Sequence, residues 1–335
     1  MFRGIQYSIL VLLLLCVSCV KQQQSSTTHS QLSTFSADSA YTYIAQQLAF
    51  GPRVPGTEAH EACGDWLVSE LARHGAQVKS QYGTMTNYAG KPQDIRNIVA
   101  ILEGNTPHAI LLCAHWDCRP WSDEEERYED RFEPVMGAND GASGVGVILE
   151  MVRQMAVRKS KGEFVPTVQV VFFDCEDMGT PAHFTGTQRD HTWCLGSQYW
   201  AQEYKHSTLN SQLSTLNSQY GILLDMVGDP SATFPREYFS MQYAGSYVER
   251  LWREASKLGY GRYFVQQATY YPITDDHYYV NTIAGIPCVD VIDYKMNTET
   301  GFAHWWHTQH DDIQNINKQT LQAVGETVLT TICSK

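Results

Sequence analysis

Carboxylates and histidines in this chain collect directly behind short apolar runs, and that placement narrows the possible folds more than any other feature. Residues 109–114 (AILLCA) lead into His115-Trp116-Asp117. Residues 168–173 (VQVVFF) are followed by Glu176-Asp177, and residues 221–224 (GILL) by Asp225. Asp140 sits in the tight Gly137-Ala-Asn-Asp-Gly141 segment, and His307 closes residues 302–307 (FAHWWH) much later. Apolar runs of this length, rich in β-formers, read as strands buried on both faces. In open α/β sheets, ligands gather beyond the carboxyl ends of such strands. Residues far apart in sequence can therefore meet at one point.

The residue types suit zinc, which accepts imidazole nitrogen and carboxylate oxygen and, when catalytic, keeps one position open. Asp140, Asp177 and His307 supply three ligands. His115 and Asp225 serve either a second metal or the support of the first. Asp117, two residues past His115, is placed to orient its ring. Glu176 adjoins a ligand, so its side chain diverges from that of Asp177 and is the natural general base or acid. Any one of these residues alone could be a cap, a turn residue or a satisfied core histidine. Their succession at strand ends is what argues for a metal site.

Strand-like segments at 77–82, 95–102, 109–114, 168–173, 221–226 and 286–294 alternate with helical patterns at 37–50, 58–74, 143–155, 195–204, 247–258 and from Lys318 onward. This alternation predicts a single α/β domain, residues 37–335, with a mixed, mostly parallel central sheet flanked by helices. A seven-residue unit occurs twice, at 207–213 (STLNSQL) and 214–220 (STLNSQY). Two copies are too few for a solenoid and predict a surface-loop insertion at 207–220.

Residues 1–19 predict an export signal, with Arg3 ahead of an apolar stretch at 9–17. The stretch ends in Leu15-Cys-Val-Ser-Cys19, which resembles a lipoprotein cleavage site with Cys19 as the lipidated terminus. That predicts a protein of the periplasm or cell envelope, touching membrane only through the lipid on Cys19. Residues 20–36, rich in Gln, Ser and Thr, predict a flexible tether. The net charge of −12 and the lack of any Lys/Arg-rich block exclude nucleic acid as a partner. No Cys-x-x-Cys pair exists, which argues against a thiolate zinc site, and Cys113 and Cys288 fall inside strand-like runs as small buried residues.

His115-x-Asp117, Asn139-Asp140-Gly141, Glu176-Asp177, Asp225 and His307 follow, in order, the pattern of the co-catalytic zinc aminopeptidases. From about Phe50 onward the chain resembles that family, whose fold the animal-type glutaminyl cyclases share. Three features are similar to the cyclase branch and its bacterial members. Asp275 stands in Thr274-Asp-Asp-His277, where the peptidases typically have Ser-Asp-His. Trp306 directly precedes His307. Trp193 lies in the loop after Glu176-Asp177. Asp177 departs from the Glu usual in the peptidases and animal cyclases, although a shorter carboxylate still binds zinc.

The resemblance implies a zinc aminopeptidase-like fold, one zinc per chain, and conversion of amino-terminal glutamine of peptides and proteins to pyroglutamate with release of ammonia. It implies Glu176, Asp225 and Asp275 as catalytic residues, with Asp225 and Asp275 hydrogen-bonded to each other, and Trp193 and Trp306 as walls of the substrate pocket. The alternative is a di-zinc aminopeptidase with His115 and Asp225 as ligands of the second metal. A non-catalytic envelope protein on the same fold predicts a damaged ligand set, and here the set is intact.

Overall fold

The structure is a computed structural model and describes Met1, residues 35–210 and residues 218–334. The export segment with Cys19 and nearly all of the tether lie outside the described residues, as do positions 211–217 of the repeat.

Among the described residues, eight strands form two sheets. The larger contains β1 (Gln77–Thr86), β2 (Pro92–Leu102), β3 (Ala109–His115), β4 (Thr167–Phe173), β5 (Ser218–Asp225) and β8 (Cys288–Ile292), in the order β1-β2-β4-β3-β5-β8. β1 pairs antiparallel with β2, and β2 antiparallel with β4. The remaining four strands run parallel. Every residue of β3 and β4 is buried, as their largely apolar sequences lead one to expect. The smaller sheet is a parallel pair, β6 (Phe234–Arg236) and β7 (Phe264–Ala268).

Because β3 has β4 on one side and β5 on the other, its neighbours diverge and a crevice opens at the carboxyl ends of these strands. His115 is the last residue of β3 and Asp225 the last of β5, while Glu176 and Asp177 follow just beyond β4. The sheet thus carries these residues to one edge.

Among the described residues, seven α-helices surround the sheet: α1 (Ala37–Leu48), α2 (Glu58–Arg73), α3 (Ala142–Ser160), α4 (Leu195–Asn210), α5 (Tyr238–Lys257), the single turn α6 (Asp276–Tyr279) and α7 (Lys318–Cys333). α3 lies against β3 and β5 at unusually short range. A Cβ on Gly144 would stand 2.1 Å from the Leu224 carbonyl oxygen and 3.0 Å from the Ala114 methyl. Only glycine allows that approach, and it brings Asp140, at the start of α3, against the strand ends. On the opposite face, Trp200 and Ala201 of α4 and Val280 of the π-helical turn after α6 pack on Leu111, Cys113, Val171, Phe173 and Leu223. Cys113 and Cys288 are buried there as free thiols. Among the described residues, no helix is long and apolar enough to cross a membrane.

Three expectations need correction. The repeat is not simply a loop insertion. α4 extends through Asn210 and β5 begins at Ser218, so the described ends of the repeat belong to regular elements. Tyr220 is buried and stacks on Tyr247 at 4.2 Å, which recruits the repeat's last residues into the strand. Phe35 and Ser36, expected in the tether, belong to the folded domain. Phe35 is buried with its ring against Gly325, and the Ser36 side chain accepts from the Ser39 amide to cap α1. Finally, α5 starts at Tyr238, nine residues before the expected 247. The backbone departs from helical geometry at Ala244, which interrupts the periodic pattern that marks a helix in sequence.

Candidate metal centre

Two overlapping groups of side chains meet at the crevice. His115 Nε2 lies 2.9 Å from Asp140 Oδ1 and 3.3 Å from Asp225 Oδ1. His307 Nε2 lies 3.1 Å from Asp177 Oδ1 and 3.6 Å from Asp140 Oδ2. Asp140 therefore presents one oxygen to each group. Nitrogen and oxygen ligands about 2.1 Å from a tetrahedral zinc stand roughly 3.4 Å apart, and these separations bracket that value. His115 Nε2 and Asp225 Oδ1 are buried without a hydrogen-bond partner, a costly state unless a cation or proton compensates. The donor set fits zinc.

The backbone around Asp140 is held from several sides. The buried Arg53 donates Nε to the Trp116 carbonyl and its two terminal nitrogens to Met136 and Gly137, at 3.1, 2.7 and 2.7 Å. Asp311 accepts from the Asn139 and Asp140 amides at 2.7 and 3.0 Å. Gly141 has φ +90°, and a Cβ there would meet the Asp117 carbonyl oxygen at 2.7 Å. Asp117 accepts from the Glu176 and Asp177 amides at 3.1 and 3.2 Å and stands 3.4 Å from His115 Nδ1. It thus holds the β4 end as well as facing the ring it was expected to orient. Among the described residues, the non-glycine positions with left-handed backbone are Cys175, His191, Cys194, Met226 and His307. Each lies in this region, where such conformations are characteristically concentrated.

Electrostatics divides the carboxylates. Burial and neighbouring negative charge push Asp140, Asp225 and Asp275 up, against the downward pull of His115. Burial likewise raises Glu176 well above the carboxylate range; His115 opposes this, while Asp177, Asp275 and Asp276 add to it. Burial also acts on Asp177, but the charge and hydrogen bond of His307, with Arg119 behind them, hold it down at about 2.

A cavity of about 850 Å³ opens onto these groups, with Trp193, Met226, Ile273, Phe302 and Trp306 among its walls. The Trp306 ring stacks on His307 with centroids 3.5 Å apart, and Trp193 lies parallel to the same imidazole at 6.1 Å. Asp275 caps α6 through the Asp276 amide, and its Oδ2 is buried without a partner. Ligand atoms of Asp275, Glu176 and Cys194 all lie within 4.8 Å of one another. The Cys194 thiol donates to Glu176 Oε1 at 3.0 Å.

Residues 97–332 match the model of peptidase family M28. The chain belongs to this family. Its solved M28-like neighbours carry two kinds of name. It is 46% identical to Tannerella forsythia glutaminyl cyclase, with a TM-score of 0.83 over 90% of this chain and 99% of that one. It is 45% identical to a Zn-dependent exopeptidase from Parabacteroides distasonis, with a TM-score of 0.83 over 91% of this chain and all of that one. It is also 25% identical to the glutaminyl-peptide cyclotransferase of Dictyostelium discoideum over 67% of this chain. The chain spans about half the length of such curated relatives, 59% of this one.

Four residues of this M28 site escape a reading of the sequence. Arg119 and Asp123 lie in a polar stretch that reads as solvated, yet both are buried. Asp311, pushed up to about 8 by burial and by Asp140, sits in an unremarkable His-Asp-Asp triplet. Cys194 reads in sequence as one more cysteine of no fixed pairing. None has a periodic signal, because each acts through a contact between loops.

Proposed function

We propose that this M28 chain cyclises amino-terminal glutaminyl residues of peptides and proteins to pyroglutamate, with one zinc per chain. The observation that carries this reading is that the Asp225 and Asp275 carboxylates both line the cavity, with Asp275 Oδ2 buried and unpartnered and Asp225 Oδ1 facing the His115 ring at 3.3 Å. A glutamine side chain ends in a primary amide with two N–H donors, and the two oxygens suit that group. The scissile nitrogen of a peptide bond has one N–H and a continuing chain, so it leaves such a pair half used.

Ring closure is intramolecular, so the protein's work is to orient, polarise and move protons. Trp193 and Trp306 wall the short side chain. Asp225 and Asp275 hold the amide nitrogen and turn the carbonyl carbon toward the α-amine. Asp140, Asp177 and His307 would hold a zinc ion, which would supply Lewis acidity toward the γ-carbonyl. As the α-nitrogen bonds to the side-chain carbonyl carbon, Glu176 takes a proton from that nitrogen. It returns the proton to the side-chain nitrogen as the carbon–nitrogen bond breaks, and ammonia leaves. The products are a pyroglutamyl peptide and ammonia, with atoms and charge balanced.

The sharing of Asp140 between two ligand groups favours a second reading, a di-zinc aminopeptidase with His115 and Asp225 as ligands. One experiment separates them. The purified chain is incubated with a Gln-initiated peptide and with leucine amide, and ammonia, free amino acid, product mass and bound zinc are measured. The cyclase reading expects loss of one ammonia from the Gln peptide, abolition by Glu176→Ala, and one zinc. Free leucine with two zincs would replace it by the peptidase. Export through residues 1–19 and lipidation of Cys19 complete the proposal. Envelope fractionation of the wild type and Cys19→Ala tests them, and a cytoplasmic location would remove both.

A further inference from the structure

Arg119 is buried at 2% exposure and contacts several separate parts of the site. Its Nε and one terminal nitrogen grip both oxygens of Asp123 at 2.7 and 2.6 Å. The other terminal nitrogen donates to the Asp177 carbonyl at 3.0 Å and lies 3.5 Å from that residue's carboxylate. The guanidinium face sits over Trp193 at 4.7 Å and over Trp121 at 5.6 Å. Asp123 extends the set: its Oδ1 is 3.6 Å from His307 Nδ1, and its Oδ2 accepts from the Ala182 amide at 2.9 Å. Ala182 lines the same cavity.

One planar cation therefore joins two ligands, Asp177 directly and His307 through Asp123, to the tryptophan that walls the substrate cavity. We infer that Arg119 is a positioning residue that fixes the substrate-facing ring of Trp193 and the ligand pair Asp177 and His307 as one unit. Substrate affinity and metal retention are then coupled through it. The geometry suits arginine alone. A carboxylate fork, a lateral donor and a flat face over an aromatic ring are used at once, and a lysine ammonium offers neither the fork nor the face. The inference uses the cyclase reading only for the substrate's place beside Trp193.

The diagnostic variant is Arg119→Lys, which keeps the charge and removes the plane. Three quantities are measured on the zinc-loaded protein: release of zinc to a chelator, KM and kcat for a Gln-initiated peptide, and Trp193 fluorescence read as the difference from Trp193→Phe. Partners behind metal ligands are generally worth about 10- to 100-fold in metal affinity or activity. Zinc release about tenfold faster or more, a changed Trp193 emission, and a KM that rises more than kcat falls are expected. In a Trp193→Ala background the KM effect of Arg119→Lys should largely vanish, because both changes remove the same wall. Unchanged zinc release, or KM effects that simply multiply, would reduce Arg119 to a structural ion pair and overturn the inference. If Arg119→Lys does not fold, Asp123→Asn takes its place with the same zinc and fluorescence readouts. Neither readout needs turnover, so the role of Arg119 is decided even in a chain that proves not to be a cyclase.

Discussion

A carboxylate surrounded by like charges is a base whose strength its neighbours set, and Glu176 is in that position. Burial raises it, and Asp275 is among the charges that raise it further. Replacing Asp275 by Asn removes one negative neighbour, so Glu176 should give up its proton more readily. The acid limb of kcat/KM is then expected to move to lower pH, by up to about one unit, on an activity reduced by loss of the amide-binding oxygen. A pH–rate profile of the variant checks this, and an unmoved limb would mean that Asp275 does not tune the base. At this scale the sequence is legible where a residue closes an apolar run. His115, Asp225, Glu176 and Asp177 can be found because the strand itself locates them. Arg119 and Asp311 cannot, because burial of a charge in a loop depends on partners that only the folded chain brings near.

Between residue and molecule, one side chain secures the Asp275 segment. Glu237 caps α5 through the Phe239 and Ser240 amides, accepts from the Ile273 amide, and receives His277 Nε2 at 2.9 Å. Burial would raise its pKa, but the His277 hydrogen bond and charge, with the cap amides, hold it at about 2 against an ordinary 4.5. A depressed carboxylate stabilises the fold above its unfolded value and loses that contribution as pH falls through the folded one. Glu237→Gln should therefore cost on the order of 3 kcal/mol at neutral pH. The gap to the wild type should close between pH 4.5 and about 2, as denaturant unfolding across that range would show.

The contact between α3 and β5 is tested by Gly144→Ala. The added methyl has backbone in its way, so a loss of about 1–3 kcal/mol is expected. Zinc affinity should fall with it, because Asp140 lies just ahead of α3; a destabilised variant with unchanged zinc affinity would separate the two. The helices and long strands of this sheet are readable from period and length. β6 and β7 are not, since three and five residues give no period, and α5 hides its first turns behind the break at Ala244.

For the molecule as a whole, the proposed metal would tie together segments that the sequence keeps far apart. The order β1-β2-β4-β3-β5-β8 brings them to one edge, and the alternation of strands and helices foretold that edge. Ligand binding to the folded state alone stabilises it by mass action. Chelation should thus lower the unfolding midpoint by several degrees, a few kcal/mol spread over a domain of this size. Adding zinc back should restore the midpoint and saturate at one equivalent, which calorimetry can count. A chelator-insensitive midpoint would detach zinc from stability, and saturation at two equivalents would move the balance to the peptidase.

The late position of His307 has a consequence in time. A chain leaves the ribosome amino-terminal end first, and His115, Asp177 and Asp225 with the strands that precede or carry them are made long before residue 307. A chain that stops at that stage would hold only part of the proposed ligand set, so full metal capture would wait for His307. On the proposed assignment, zinc retention would mark a chain that reaches His307, and a truncated chain ending before that residue would fail to keep the ion.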